Sequence, residues 1–179
     1  MKEPEPWLRG PLPGVDPLIA PLLRSFEHAR EELADYVHGL TPEQVWARPH
    51  GQVPLGYHVR HIAGSVNRMM TYLLGGTLTE AQHADKAREQ QPGASAEELL
   101  AEVEASLTRA AEDARRITRE SLTEPRYVGR LRLPTTAAGL LVHLAEHTQR
   151  HVGQAIEAAK LARAYSSSDA SGGASGRTR

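Results

Sequence analysis

The segment LLVHLAEHTQRHVGQ, at residues 140–154, carries three histidines at intervals of four residues. Residues four apart stack on one face of an α-helix, so His143, His147 and His151 are predicted to form a column. His147 and His151 also fall on the apolar line that a bundle helix turns toward its neighbours. Burying two imidazoles is costly unless their nitrogens find partners, and a shared metal ion is such a partner. The predicted line comprises Leu140, Leu144, His147, His151, Gln154, Ala158 and Leu161.

The composition of the 179-residue chain narrows the class of protein. Its length predicts one domain with a single core. The absence of cysteine removes disulfides, thiolate metal ligands and a cysteine nucleophile, and it fits a cytoplasmic protein. With 21 basic and 22 acidic residues, the chain has no excess of positive charge that would favour binding to a nucleic-acid backbone or an anionic membrane. No segment approaches the ~20 apolar residues of a membrane span. We therefore expect a soluble cytoplasmic protein without nucleic-acid or membrane partners.

Four long amphipathic segments predict an all-α fold, a four-helix bundle with one or two short extra helices. In each segment the apolar residues recur at steps of three and four, the period of a helix with one buried face. The expected core stripe of the first helix is Ile19, Leu22, Phe26, Ala29, Leu33, Val37 and Leu40. The four helices are predicted at residues 16–39, 54–74, 95–122 and 136–164.

The two ends of the chain are predicted to lie outside this domain, which spans residues 16–164. Residues 1–15 contain four prolines and two glycines, a composition typical of an extended arm, with Trp7 as its candidate anchor. Residues 165–179 form a Ser/Gly-rich tail that cannot bury enough apolar surface to fold, so we expect disorder there.

Three shorter segments connect the predicted helices. Capping boxes beginning at Thr41 and Thr79 predict a short turn carrying Trp46 and a short polar helix over residues 80–90. The polar helix is expected to bridge the bundle rather than join its core. Residues 126–133 alternate enough to predict one short extended piece.

The histidines of the second and fourth predicted helices are the candidate site. A lone buried histidine is usually a hydrogen-bonded core residue, but the HxxxH pair of His147 and His151 can hold one first-row metal ion. A third ligand must come from elsewhere, and His58 or His61 is the natural source. Three neutral imidazoles without a thiolate suit Zn, Ni, Co or Fe(II), and they leave positions open for water or substrate.

Two stretches resemble the DinB superfamily of DinB/YfiT-like metalloenzymes: PLGYHVRHIAGSVNRMMTYLLGG at 54–76 and LLVHLAEHTQRHVGQA at 140–155. The resemblance covers residues 16–164. It implies that His61, in the motif Arg60-His61-Ile62, joins His147 and His151 around a divalent metal, with Gly153-Gln154 completing the signature. It also implies an up-down-down-up four-helix bundle, often a homodimer.

Other polar residues near these motifs lie outside the ligand set that the resemblance implies. His143 and Gln154 are candidates for a supporting or pocket position, and so is His58, although an ordinary structural role is favoured for His58. Glu146 points about 100° away from His147 and is expected to be solvated. Arg60, Asn67, Arg68 and Arg150 are candidates for binding an anionic cosubstrate, and His28, His38, His50 and His83 are expected on the surface or in loops.

The resemblance also suggests a reaction. Similar proteins with known activities depend on thiols, as bacillithiol or mycothiol S-transferases and as a mycothiol-dependent maleylpyruvate isomerase. A metal held by three neutral imidazoles lowers the pKa of a bound thiol or water. Because the chain has no cysteine, the thiol would be a small molecule. We therefore expect a transferase that moves a low-molecular-weight thiol onto a small-molecule substrate, using Zn, Ni, Fe or Mn. A metal-dependent hydrolase and a non-catalytic metal-binding stress-response module remain alternatives.

Overall fold

The computed structural model describes residues 3–172, with side chains described as far as residue 165. Helices form most of it, and a single two-stranded hairpin precedes the last helix. Single turns of 3-10 helix lie at Pro6–Leu8, Pro49–Gly51 and Glu120–Thr123. The helices are α1 (Ala20–Val37), α2 (Pro42–Trp46), α3 (Leu55–Leu73), α4 (Glu80–Arg88), α5 (Ala96–Ala114) and α6 (Ala137–Gly172), and the strands are β1 (Pro125–Val128) and β2 (Leu133–Thr136).

The four long helices, α1, α3, α5 and α6, form the predicted bundle, in which α1 and α3 each pack against both α5 and α6. Side-chain contacts along the interfaces show that α1 runs parallel to α6, α3 antiparallel to α6, and α5 parallel to α3. The topology is therefore up-down-down-up, as predicted. The contacts that show these directions are Ser25 with Gln149, His38 with Arg163, His58 with His151, His61 with His147, Arg60 with Glu102 and Ala63 with Ser106.

The core lies between these four helices. All seven positions of the predicted α1 stripe are buried, which confirms the helical period for that segment. The polar helix α4 contributes no buried residue, so it stays outside the core as expected. No helix among the described residues is long and apolar enough to cross a membrane.

The buried line of α6 differs from the predicted one. Gln154 is exposed and Leu161 is only half-buried, so their assignment to the core seam is wrong. Ala158 is also half-buried but packs against the core. The line shifts by one residue beyond Leu144. Thr148 lies on the shifted line and is fully buried, and its hydroxyl donates to the Leu144 carbonyl at 2.8 Å. His147 and His151 consequently lie half-buried beside the core. Up to residue 165, the buried residues of α6 are Ala137, Leu140, Leu141, Leu144, Thr148, Val152, Ala155, Ala159 and Ala162.

The connection between α5 and α6 also differs from the prediction. Helix α5 ends at Ala114 rather than near residue 122. The segment predicted as one extended piece is an antiparallel hairpin, in which β1 pairs Val128 with Leu133 and continues to Pro125 opposite Thr136. The chain reverses at Gly129, whose φ of 71° is the left-handed conformation that glycine adopts at no steric cost. Residues 133–136 therefore belong to β2 rather than to the approach to α6.

The two ends of the described chain correct two further expectations. Trp7 does not anchor the arm: it is 65% exposed, and the arm is held instead by Arg9, whose guanidinium donates to both carboxylate oxygens of Glu31 on α1. A paired fork of this kind ties the arm to α1, and Pro6 of the arm is buried as well. At the other end, α6 continues to Gly172, since no glycine or proline interrupts residues 155–171. Residues 165–172 of the predicted tail are thus helical, and 173–179 lie outside the described residues.

Candidate metal centre

Three histidines meet where α3 and α6 face each other. One ring nitrogen from each of His61, His147 and His151 lies within 4.8 Å of the other two, close enough for one metal ion to be shared. The two α6 residues are one turn apart, and α3 brings His61 alongside them. We call these residues the three-histidine cluster. All three are half-buried, so the cluster keeps access to solvent.

Glu89 supports one member of the cluster from outside. Its Oε2 lies 2.7 Å from the Nδ1 of His61, and only 3% of the residue is exposed. The Oε1 atom lies 2.6 Å from a guanidinium nitrogen of Arg68, an ion pair whose groups are not aligned as a hydrogen bond. Because Nδ1 is occupied by the carboxylate, the Nε2 of His61 is the nitrogen available to a metal.

His58 contacts a second member of the cluster. The Nδ1 atoms of His58 and His151 are 3.2 Å apart, so one of them must carry a proton and the other must accept it. The Nε2 of His151 is thereby left for a metal. The sequence favoured an ordinary structural role for His58, whereas the structure places this buried residue against a predicted ligand.

The third member, His147, has a buried Nδ1 without a hydrogen-bond partner among the described residues. A buried unpaired nitrogen is costly, and a metal ion bound to this nitrogen would supply the missing partner. The donor set is three imidazoles with no thiolate, which suits a divalent ion of borderline softness. The residues present therefore fit a metal ion.

Three imidazoles at this interface, those of His58, His147 and His151, favour the neutral form that a metal ligand needs. Burial, and then the charge of His61, lower the pKa of His58 to about 4. Burial and the neighbouring His61 and His143 lower the pKa of His147 to about 4. For His151, burial together with His61 and His147 lowers the pKa to about 3. Protons therefore compete weakly for these rings at neutral pH.

The Glu89 carboxyl is held ionised despite its burial. Desolvation alone raises the pKa of this group, but the hydrogen bond to His61 and the charge of Arg68 outweigh that effect, and the pKa lies below its ordinary value. Arg68 was a candidate for binding an anionic cosubstrate. The structure instead buries it beside Glu89, where the carboxylate already neutralises its charge.

The remaining predicted positions lie around the cluster. His143 is half-buried, and its ring centroid is 5.5 Å from that of His147. Glu146 is exposed as expected and pairs with Arg150 at 2.6 Å. A surface cavity of about 620 Å³ adjoins the cluster through His58. Its lining residues are Gly51, Gln52, Val53, His58, Arg150, Gly153, Gln154, Glu157 and Ala158.

Sequence reasoning missed Glu89, although one local signal pointed to it. Of residues 80–91 only Glu89 is buried, and it lies at the C-cap of the otherwise exposed α4. An acidic residue at a helix C-terminus faces the carbonyl ends of the helix, which is unfavourable unless a cation lies close by. Glu89 directly follows a helix that ends in Lys86 and Arg88, which is an unusual position for an acidic residue.

The fold and the cluster together define a class: helical bundles with three histidines on two facing helices. The sequence profile of the DinB superfamily matches residues 25–155, and the chain belongs to that superfamily. A search of the curated proteins finds no match.

Solved structures show the same fold at low sequence identity. A DinB-like protein from Bacillus cereus ATCC 10987 is 19% identical, with a TM-score of 0.61 over 79% of this chain and 90% of that one. A conserved protein from Enterococcus faecalis is 16% identical, with a TM-score of 0.66 over 80% of this chain and 95% of that one. Both similarities concern the fold.

Proposed function

We propose that this protein is a metal-dependent transferase that moves a low-molecular-weight thiol onto an electrophilic small molecule. The observation that carries the proposal is the three-histidine cluster, whose ring nitrogens lie within 4.8 Å of one another. An open cavity lies on the other side of His58, which contacts His151. The chain has no cysteine of its own, so the thiol must come from a small molecule.

In this proposal His61, His147 and His151 hold the metal, and the other residues act on them. Glu89 and His58 fix the orientation of two of the three rings by occupying their Nδ1 atoms. A divalent ion held by three neutral imidazoles keeps its positive charge and lowers the pKa of a thiol or water beside it. Zn, Ni, Fe and Mn are the candidate ions, with nitrogen ligands favouring the first three.

The cavity beside His58 is the proposed substrate site. Gln154 and Arg150 offer an amide and a cation at its rim, and the backbone at Gly153 leaves room for a ligand to approach α6 closely. The buried imidazole of His58 separates this cavity from His151. A ligand in the cavity would therefore lie one side chain away from the cluster.

The metal is tested first, with a matched pair of histidine variants on the same helix. His147→Ala removes a proposed ligand, whereas His143→Ala removes the neighbour one turn away. In protein purified without a histidine tag, we expect about one divalent ion per chain in the wild type and in His143→Ala, and almost none in His147→Ala. Equal metal content in the two variants would contradict the ligand assignment.

The reaction is tested next, with a panel of low-molecular-weight thiols and a chlorinated aromatic electrophile. We expect metal-dependent conjugation with at least one thiol, lost in His147→Ala and retained in His143→Ala. Conjugation that survives metal removal would contradict the proposal, and so would metal-dependent consumption of the electrophile by water alone. The latter outcome would favour a hydrolase.

A further inference from the structure

We propose that Glu89, clamped by Arg68 over Gly64, is a positioning residue that fixes the His61 ring for metal binding. The inference rests on the metal centre of the proposed function and not on the thiol chemistry. It is supported by the arrangement of three α3 residues, His61, Gly64 and Arg68, around the carboxylate of Glu89.

The hydrogen bond sets the tautomer of His61. A carboxylate without a proton can only accept, so the Nδ1 of His61, 2.7 Å from Oε2, must carry the hydrogen. A neutral ring with its proton on Nδ1 has a free electron pair on Nε2, which lies on the other side of the ring. Glu89 is therefore not itself a ligand, and it directs Nε2 toward His147 and His151.

Helix α3 is shaped to receive the carboxylate. His61, Gly64 and Arg68 are separated by three and four residues, so they lie on one face of the helix. A Cβ atom at Gly64 would lie 2.6 Å from the Oε1 of Glu89 and 2.9 Å from a guanidinium nitrogen of Arg68. The carboxylate thus fills the space that a glycine leaves open, with one α3 partner on each side.

The ion pair with Arg68 does not by itself account for the burial of Glu89. Helix α4 contributes no buried residue to the core, and its C-terminal end is an unfavourable place for an anion. Burying a carboxylate there is costly, and the ion pair with Arg68 removes only part of that cost. Control of the His61 ring explains why the acid is retained at this position.

Zinc affinity, measured by competition with a chromophoric chelator, tests the proposal in the full chain. Glu89→Ala removes the carboxylate, and Gly64→Ala displaces it sterically without changing any charge. We expect both variants to bind Zn²⁺ about 10- to 100-fold more weakly than the wild type. In Glu89→Gln the amide oxygen can still accept from Nδ1, so an intermediate loss is expected.

Glu102→Gln is the matched control. Glu102 lines the same cleft between α3 and α5 as Glu89 and lies 3.4 Å from Arg60, but no contact joins it to the cluster. We expect its zinc affinity to stay within about twofold of the wild type. A comparable loss of zinc affinity in this variant would mean that removing any nearby negative charge weakens binding, and it would overturn the proposal.

The tautomer of His61 supplies a readout that a purely structural role would not change. In metal-free protein labelled with ¹⁵N-histidine, we expect His61 to be protonated on Nδ1 in the wild type and to lose that preference in Glu89→Ala. Circular dichroism establishes that the variants fold, and if Glu89→Ala does not fold, Gly64→Ala and Glu89→Gln decide the result.

The outcomes separate this inference from the proposed function. Zinc binding with unchanged affinity in folded Glu89→Ala and Gly64→Ala overturns the positioning role alone. Zinc binding without any thiol transfer overturns the transferase alone. A wild-type chain that binds no divalent ion overturns both.

Discussion

His58 and Glu89 each contact the Nδ1 atom of one residue in the three-histidine cluster. His147 has no such partner among the described side chains. At the scale of single residues, the cluster is therefore an uneven set of rings, two oriented by neighbours and one left with a buried nitrogen.

The metal-free protein should lose stability as the pH falls below about 6.5. Below that value the unfolded chain takes up protons at His58, His147 and His151. The folded chain does not, because the folded pKa values are about 4, 4 and 3. The unfolded state then binds more protons, so the free energy of unfolding falls between pH 6.5 and about 4, and is fully restored above pH 6.5.

Urea unfolding of chelator-treated protein at pH 7.5 and pH 5.0 measures this loss. His147→Leu removes one of the three groups and should reduce the difference between the two midpoints. His83→Leu, at an exposed position on α4, is the control and should leave the difference as in the wild type. An equal midpoint at both pH values would contradict the prediction.

At the scale of elements, Trp46 fixes the start of α3. Its Nε1 donates to the Ala94 carbonyl at 2.8 Å, and the Arg60 guanidinium lies 5.3 Å from its ring centroid. A Cβ atom at Gly56 would lie 2.7 Å from the ring. Because the ring is held on two sides, Gly56→Ala should destabilise the protein by about 1–3 kcal/mol.

Thermal or urea unfolding measures this change. Gly153→Ala is the matched control, because nothing lies within 4 Å of the Cβ that it would add in the interior of α6. An alanine there should raise stability by about 0.5–1 kcal/mol through helix propensity. A destabilisation of equal size in both variants would mean that close packing against Trp46 is not the cause.

The capping boxes of α4 and α5 provide a second comparison between elements. Ser95 accepts from the Glu98 backbone at the start of α5, and Thr79 accepts from the Gln82 backbone at the start of α4. Only α5 packs into the core. Ser95→Ala should therefore lower the free energy of unfolding by about 1 kcal/mol.

Thr79→Ala should leave global stability nearly unchanged, since α4 can fray without exposing core residues. Urea unfolding gives the global values, and amide hydrogen exchange locates the fraying. Equal global losses in Ser95→Ala and Thr79→Ala would show that α4 unfolds together with the bundle, contrary to this expectation.

At the scale of the whole molecule, a bound metal would join α3 to α6, two antiparallel helices that are distant in sequence. Unfolding of either helix would release the ion. Zn²⁺ at a hundredfold excess over its Kd should therefore raise the free energy of unfolding by about 2.7 kcal/mol. Differential scanning calorimetry measures the effect as a higher Tm.

His61→Ala should abolish this rise in Tm, whereas His83→Ala should retain it. The two variants differ in whether the histidine belongs to the cluster, and both remove one imidazole. A rise that persists in His61→Ala would place the stabilising ion somewhere other than between α3 and α6.

The helical period of the apolar residues is enough to predict most of the helices of the bundle and the buried face of α1. The α1 stripe from Ile19 to Leu40 is buried as predicted, because a 3.6-residue period alone determines which side chains share a face. The same reasoning failed on α6 beyond Leu144. There the alanines are small enough to be buried on the adjacent line, and the packing of α1 and α3, not the local pattern, selected that line.

The sequence by itself determined the four amphipathic segments, the capping boxes and the spacing of His147 and His151, since all of these follow from interactions within a few residues. The resemblance added His61 and the up-down-down-up topology. Only the tertiary structure decided the contacts of Glu89 and His58 with the cluster. Those contacts join residues that are far apart in the sequence, and the loops between them have no hydrophobic periodicity. The contact distances depend on how α3, α4 and α6 pack, which no local sequence pattern encodes.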